Sequence, residues 1–340
     1  MKSLFSAEER EAKLDKKGDP LVQLNKHIDF AGLAAVVDRE APRPSRDKGG
    51  RPPFPTELMV RVLDLQQLFN LSDEQLEYQL LDRLSFQRFV GLRDSSRVPD
   101  ANTVWVFRER LAMARLGQAL FEQVQQQLQH HGYIARCGQI VDATLVPVPT
   151  QRNSREDNAK IKQGEVPEEW SAPQRRQKDI EARWTQKHGK STFGYKLSTS
   201  VDKRYKLMRR IHVSDAAEHD SRHFEAVLDP QNTSRVVYAD KAYPSRERDE
   251  RLTALGWRLH LQRKAQMGKP LSDCQQRRNR RLVSPRARVE HVFAGLAQKM
   301  GGKLLRSIGL TRATLNLHLK ALTYNLKRLS YLQEAGVDAF

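Results

Sequence analysis

Three acids stand out by the company they keep. Asp142 interrupts Ile140-Val141-Asp142-Ala143-Thr144-Leu145-Val146, a run whose β-branched composition predicts a buried strand. An isolated carboxylate buried there is costly unless something compensates for it. Asp240 closes a second apolar run, Val236-Val237-Tyr238-Ala239, at the end of a strand, where a mixed sheet presents its functional loops. Glu290 borders the stripe of Val289, Val292, Phe293 and Leu296, whose spacing is that of a buried helix face. Carboxylates arriving from two strands and a helix would offer hard oxygen ligands of the kind Mg²⁺ takes, with water and phosphate oxygens completing its shell. In the blander alternative each acid pairs with a neighbouring base or caps a helix, and spacing alone leaves both readings open.

The elements that must position these acids follow from composition and periodicity. The 340 residues are 39% hydrophobic, enough for one large domain and one smaller. Residues 1–130 read as a small helical domain. Leu58, Val62, Leu65 and Phe69 predict one helix, Leu76, Leu80, Leu81 and Leu84 a second behind the cap at Ser72, and Val104, Phe107 and Leu111 a third running toward Leu128. Pro- and Gly-rich linkers, Gly18-Asp19-Pro20 and then Ala41-Pro42-Arg43-Pro44 through Gly49-Gly50-Arg51-Pro52-Pro53, punctuate the chain before them. After Gly132 the texture changes to short strands with helices between them. Strands are expected within 137–148, 193–201, 207–213, 236–240 and 257–261. Helices are expected over 223–228 and 245–255, with a long one entered at Ser284-Pro285. The order is that of a mixed α/β domain. Its stretch 149–189 is too charged to be core. In the tail, Leu315, Leu319, Leu322, Leu326 and Leu329 form an apolar face with Lys320, Lys327 and Arg328 opposite, suited to packing on the sheet or to a subunit interface.

Charge narrows the partner. Lys and Arg number 59 against 41 Asp and Glu, a net +18, and the excess is one-sided: residues 1–130 balance to zero, while residues 131–340 carry all of it. Between Arg263 and Arg288 nine bases, Arg277, Arg278, Arg280, Arg281 and Arg286 among them, face Asp273 alone. A polyanion, most simply nucleic acid, is the expected partner. An acidic membrane surface would ask for a basic amphipathic helix or a lipidation signal, and neither is seen. No run of about 18 uncharged apolar residues occurs, and the charged first twenty residues do not read as a signal peptide, so a cytoplasmic location at the nucleoid is expected. The two cysteines, Cys137 and Cys274, form no CxxC and read as reduced thiols. His219 and His223 have the i, i+4 spacing of a zinc pair but lack the glutamate of HExxH, and read as surface or capping residues.

At the acids the chain resembles the DDE transposases of bacterial insertion sequences, specifically the insertion-sequence-five group. The amino-terminal blocks are Leu14 to Leu21, Gly50-Arg51-Pro52-Pro53, Leu71 to Gln79, Asp82 to Phe86 and Pro99 to Thr103. The blocks around the acids are Val141-Asp142-Ala143-Thr144, Lys187-His188-Gly189-Lys190 through Lys196, Ala239-Asp240-Lys241-Ala242-Tyr243 and Arg288-Val289-Glu290-His291-Val292-Phe293. The resemblance implies a ribonuclease-H-like mixed five-stranded sheet flanked by helices, preceded by a small all-α domain. The helical part, 1–130, would bind DNA ends or dimerise. The catalytic part, 131–340, would carry a basic insert around 149–190 and carboxyl-terminal helices.

The resemblance further implies that Asp142, Asp240 and Glu290 hold two Mg²⁺ ions, for which Mn²⁺ can substitute, and that the chain cleaves element ends and transfers their 3′-hydroxyl into target DNA. Its partners would be double-stranded DNA, as terminal inverted repeats and target, and a second copy in a homodimer. The DNA contacts expected are Arg286, Lys187, Lys190, Lys196, Lys241, Arg277, Arg278, Arg280, Arg281, Arg288 and Lys299. Arg286 fits the family's arginine four residues before the glutamate. Val283 stands where a tyrosine is usual and Ala297 where a lysine is usual, with Lys299 the nearest base. A metal-dependent nuclease without strand joining, or a DNA-binding protein with an idle site, are the competing readings.

Overall fold

A computed structural model describes residues 6–43, 49, 52–93, 95–187, 189–265 and 268–339. Residues 44–48, Gly50, Arg51 and His188, which belong to the linkers and blocks named above, lie outside the described residues. The chain divides into two compact units, Met1–Gly132 with His318–Phe340, and Tyr133–Leu317.

The first unit is helical: α1 (Ser6–Lys17), α2 (Pro20–His27), α3 (Phe30–Glu40), α4 (Thr56–Phe69), α5 (Asp73–Asp82), α6 (Leu84–Val90), α7 (Ala101–Met113) and α8 (Gly117–His130). Ser72 caps α5 in a reciprocal box with Gln75, and the Asp100 carboxylate caps α7 by accepting from the Thr103 N–H at 2.6 Å. The third predicted helix is broken in two, α7 and α8, around Arg115, whose φ of 53° no helix can continue.

The carboxyl-terminal tail departs further from expectation. The helix Leu310–Glu334 crosses the unit boundary, and its residues from His318 onward belong to the helical unit, not to the sheet. Leu319, Leu322 and Leu326 meet Phe30, Leu33, Val60 and Leu63 in the core, and Lys320, expected on the outer face, is buried with its Nζ donating to the Gln67 carbonyl at 2.8 Å. Buried side chains lie on nearly every side of this stretch, as in a helix enclosed by its neighbours.

The second unit is built on one mixed sheet of β1 (Gln139–Pro147), β2 (Arg183–Lys187), β3 (Lys190–Asp202), β4 (Met208–Asp215), β5 (Val236–Ala239) and β6 (Arg258–Leu261). The order is β2-β3-β1-β5-β6, with β4 pairing β3. The five expected strands are present. The short β2 comes out of the charged stretch and forms a hairpin with β3, where Trp184 packs on Phe193 with ring centroids 5.3 Å apart. β1 is antiparallel to β3 and parallel to β5, and β5 is parallel to β6. With neighbours on both edges β1 is interior, which accounts for its apolar composition. Gly138, at φ +87°, lets β1 start where an added Cβ would sit 2.8 Å from the Val236 carbonyl oxygen.

The helices of this unit are α9 (Arg155–Lys162), α10 (Ala172–Gln177), α11 (Arg246–Ala254) and α12 (Asp273–Ala294), and α13 (Leu310–Glu334) leaves it. The helix expected over 223–228 is instead a 3₁₀ turn at Asp220–His223 followed by turns, because Phe224, Val227 and Leu228 are drawn into the core beneath β5 and Asp229-Pro230 ends the segment. Ser284-Pro285 does not begin the long helix either. Ser272 caps α12 with Gln275, and Pro285 lies inside it, removing one backbone donor. Val289, Val292, Phe293 and Leu296 are buried as their spacing predicted.

Candidate active site

The ladder between β1 and β5 holds only Gln139 opposite Val237 and Ile140 opposite Tyr238. Two residues beyond that last pair stand Asp142 on one strand and Asp240 just past the other. Side chains repeat every second residue along a strand, so the two acids share a face and a level, flanking the gap where the parallel strands part. That gap is the crevice in which open α/β sheets bind ligands.

Asp142 is 8% exposed. Its Oδ1 accepts from the Ala143 N–H at 2.8 Å and its Oδ2 lies 3.2 Å from the Arg286 guanidinium. Burial, helped by the charges of Asp240 and Glu290, outweighs Arg286 and the Ala143 N–H and pushes the carboxyl up to about 6. The same balance places Asp142 within electrostatic reach of both Asp240 and Glu290. Asp240 is half-buried and accepts from the Ala242 N–H at 2.7 Å; Glu290 is exposed on α12. Among the described residues no three acid, histidine or cysteine side chains are already closed into a metal-ligand cluster. The donor set is nonetheless of the hard-oxygen kind suited to Mg²⁺, and the mutual repulsion of three carboxylates is the kind a cation relieves.

Arg286 sits one helical turn before Glu290, with Nη1 donating to Gln262 Oε1 at 3.1 Å and Nε left without a partner among the described residues. Two further side chains border the acids without having been singled out. The Tyr243 hydroxyl is buried and has no partner among the described residues, and burial beside Asp142, Asp220 and Asp240 pushes it up. Its position within the Asp240 block was the available signal. Lys303 donates from Nζ to the Thr144 hydroxyl, two residues along β1 from Asp142, and acts electrostatically on Lys187 and Glu290. Burial lowers its pKa. No sequence spacing marks it, since it reaches the site only after the chain turns beyond α12.

Apart from Arg286, the bases expected to contact DNA are of three kinds. Lys187, Lys190, Lys241, Arg277, Arg280, Arg281 and Lys299 are exposed. Arg278 donates to the Leu261 carbonyl at 2.7 Å and Arg288 to the Lys203 carbonyl, each pinned at one nitrogen. Lys196 departs from the expectation: it is buried, its Nζ pairs with Asp220 at 2.7 Å and donates to the Glu218 carbonyl, so its charge is neutralised inside the unit. His219 caps the 3₁₀ turn and His223 faces Glu218 while stacking on His212, so neither is arranged as half of a zinc pair.

Comparison with known proteins agrees with this geometry. Residues 134–326 match the family model "Transposase DDE domain", and residues 8–110 match "Transposase domain (DUF772)". Among solved structures the fold is similar to the piggyBac transposase synaptic complex with hairpin DNA, at a TM-score of 0.50 and 11% identity, covering 95% of this chain and 77% of that one. A family match over more than half of the chain, on a fold that sets Asp142 and Asp240 at the parting strands of its sheet and Glu290 on the neighbouring helix α12, means that the protein belongs to the DDE transposases.

Proposed function

We propose that this transposase cleaves DNA at the ends of its element and joins the freed 3′-hydroxyl to target DNA by in-line phosphoryl transfer, with Asp142, Asp240 and Glu290 holding two Mg²⁺ ions. The observation that carries the reading is the buried Asp142, coupled in charge to the other two acids at the gap between β1 and β5. When bound, the ions would supply polarisation of the attacking and leaving oxygens, the work of two-metal phosphoryl transfer.

The chain's own residues do the rest. The Ala143 and Ala242 N–H groups fix one oxygen each of Asp142 and Asp240. Arg286 neutralises Asp142 in the free protein and is placed to take a phosphate between the acids. Exposed Lys187, Lys190, Lys241, Arg277, Arg280, Arg281 and Lys299 would neutralise backbone phosphates, giving affinity without sequence. Joining two DNA ends in one event calls for two catalytic units, hence a homodimer on DNA. The site of action is the nucleoid in the cytoplasm. Among the described residues no helix is long and apolar enough to cross a membrane.

The test is incubation of the purified protein with DNA carrying the flanking sequences of its gene and a supercoiled target, with and without Mg²⁺, beside Asp142→Asn. Metal-dependent cleavage and joining, both lost in the variant, is the expected result. Cleavage without joining would make the protein a nuclease, and binding without either would leave an idle DNA-binding protein.

A further inference from the structure

We infer that Arg43, Arg97 and Arg110 form a binding pocket for a DNA backbone phosphate in the helical unit, apart from the acids of the sheet. The pocket is a cavity of about 400 Å³ beside α7, with Phe54, Val106 and Phe107 on its apolar walls. Within it Arg110 is the anomaly. Its Nε and Nη2 are buried and have no acceptor among the described residues, and the Nε of Arg97 is in the same condition. A guanidinium cannot shed its proton to escape this. A buried charged donor without an acceptor is costly, so the arrangement points to an anionic acceptor that arrives from outside.

Charge supports the same ligand. The charges acting on Arg110 are Arg43, which opposes it, and Asp38, which favours it. The Asp38 Oδ1 already takes the Thr56 hydroxyl at 2.6 Å, so among the described residues three guanidiniums line the pocket and the one carboxylate acting on Arg110 is partly engaged. The other two arginines are held in place. Arg43 donates from Nη2 to the Phe54 carbonyl at 2.6 Å and to Thr56 Oγ1 at 2.8 Å. Arg97 donates to the Pro52 carbonyl and lies 4.4 Å over the Phe54 ring. Arg110 lies 5.1 Å over the Phe107 ring. Rings and carbonyls fix the guanidiniums while leaving their remaining N–H groups for the several oxygens of a phosphodiester, and the apolar walls suit the adjoining sugar. Residues 1–130 carry no net charge, so this pocket would let an otherwise neutral unit grip DNA at one place.

The proposal rests on the chain acting on DNA, and the experiment separates the two. Full-length wild type, Arg110→Gln and Arg97→Gln are titrated against duplex DNA from the flanks of the gene by fluorescence anisotropy over a range of salt, and their thermal melts are recorded with and without inorganic phosphate. Each variant should bind DNA about tenfold more weakly, with the slope of log K on log salt shallower by about one. Its melting temperature should be unchanged or higher, since removing an unpaired buried charge relieves a cost that only the ligand repays. Arg97→Gln, at the half-exposed side of the pocket, carries the expectation if Arg110→Gln does not fold. Equal affinity and slope in variant and wild type overturn the pocket and leave the transposase reading intact. A wild type that binds no DNA overturns both. Inorganic phosphate that stabilises wild type but not the variants, with DNA affinity equal in all, overturns DNA as the source of the phosphate.

Discussion

At Asp142 burial and charge pull in opposite directions, and the outcome bears on function. Burial holds the carboxyl up near 6, while Arg286 and the Ala143 N–H pull it down. Replacing Asp142, Asp240 or Glu290 by its amide keeps the volume and removes a ligand charge. Each variant is expected to lose cleavage by at least about 10²-fold while still shifting labelled DNA in a gel, and cleavage surviving in all three would sink the assignment. Arg286→Gln should slow cleavage by about 10²-fold in single-turnover assays, in the range of lost transition-state donors.

Asp64 gives a second, independent prediction, in the helical unit. It is 4% exposed, its Oδ1 accepts from Thr323 at 2.6 Å, its Oδ2 has no partner among the described residues, and burial pushes its carboxyl up to about 7. Unfolded, it would ionise near its ordinary value of 3.8. Its contribution is therefore fully present below about pH 4 and is lost as the pH rises to about 7, of order 4 kcal/mol across the window. Melting curves from pH 5 to 8 should show wild type losing stability relative to Asp64→Asn, and parallel curves would refute the account.

At the scale of elements, what could be read in advance depended on whether the signal was local. The apolar, β-branched runs that lead to Asp142 and Asp240 and the stripe of helical period beside Glu290 are local patterns, and all three formed as read. The start of α12 was misplaced because Ser284-Pro285 imitates an N-cap followed by a first-turn proline, while the Ser272–Gln275 box lies farther upstream. Lys196 looked available because nothing in the sequence announces that Asp220 turns back to pair with it. Lys303 escaped notice for the same reason: its neighbour Thr144 is near in space only. The entry of β1 makes an element-scale prediction. Gly138→Ala would need a positive φ and would crowd the Val236 carbonyl. It should cost about 1–3 kcal/mol in urea unfolding and weaken cleavage as well, since β1 and β5 set the spacing of the acids.

At the scale of the whole molecule, charge and chain order divide differently. The basic excess belongs to the part that holds the acids, whereas the helical unit draws on both ends of the described chain. An amphipathic helix declares that it needs a cover but not which surface supplies it, which is why the partner of the tail could not be read from its leucines. Ending the chain after Leu317 would strip Leu319, Leu322 and Leu326 from the core they share with Phe30 and Leu63. The shortened protein should lose the cooperative melting of its helical unit, followed by circular dichroism, and retention of that transition would show that α13 is dispensable there.

That arrangement also sets an order in time. A ribosome delivers α1 to α8 first, then the entire sheet, and only afterwards the helix that completes the first core. Until then the early helices wait with an open apolar face, a state that invites chaperones and proteases. A chain that stopped short of α13 would therefore keep that face open and be marked for clearance before it could act on DNA, and the making of α13 becomes the step that licenses the enzyme.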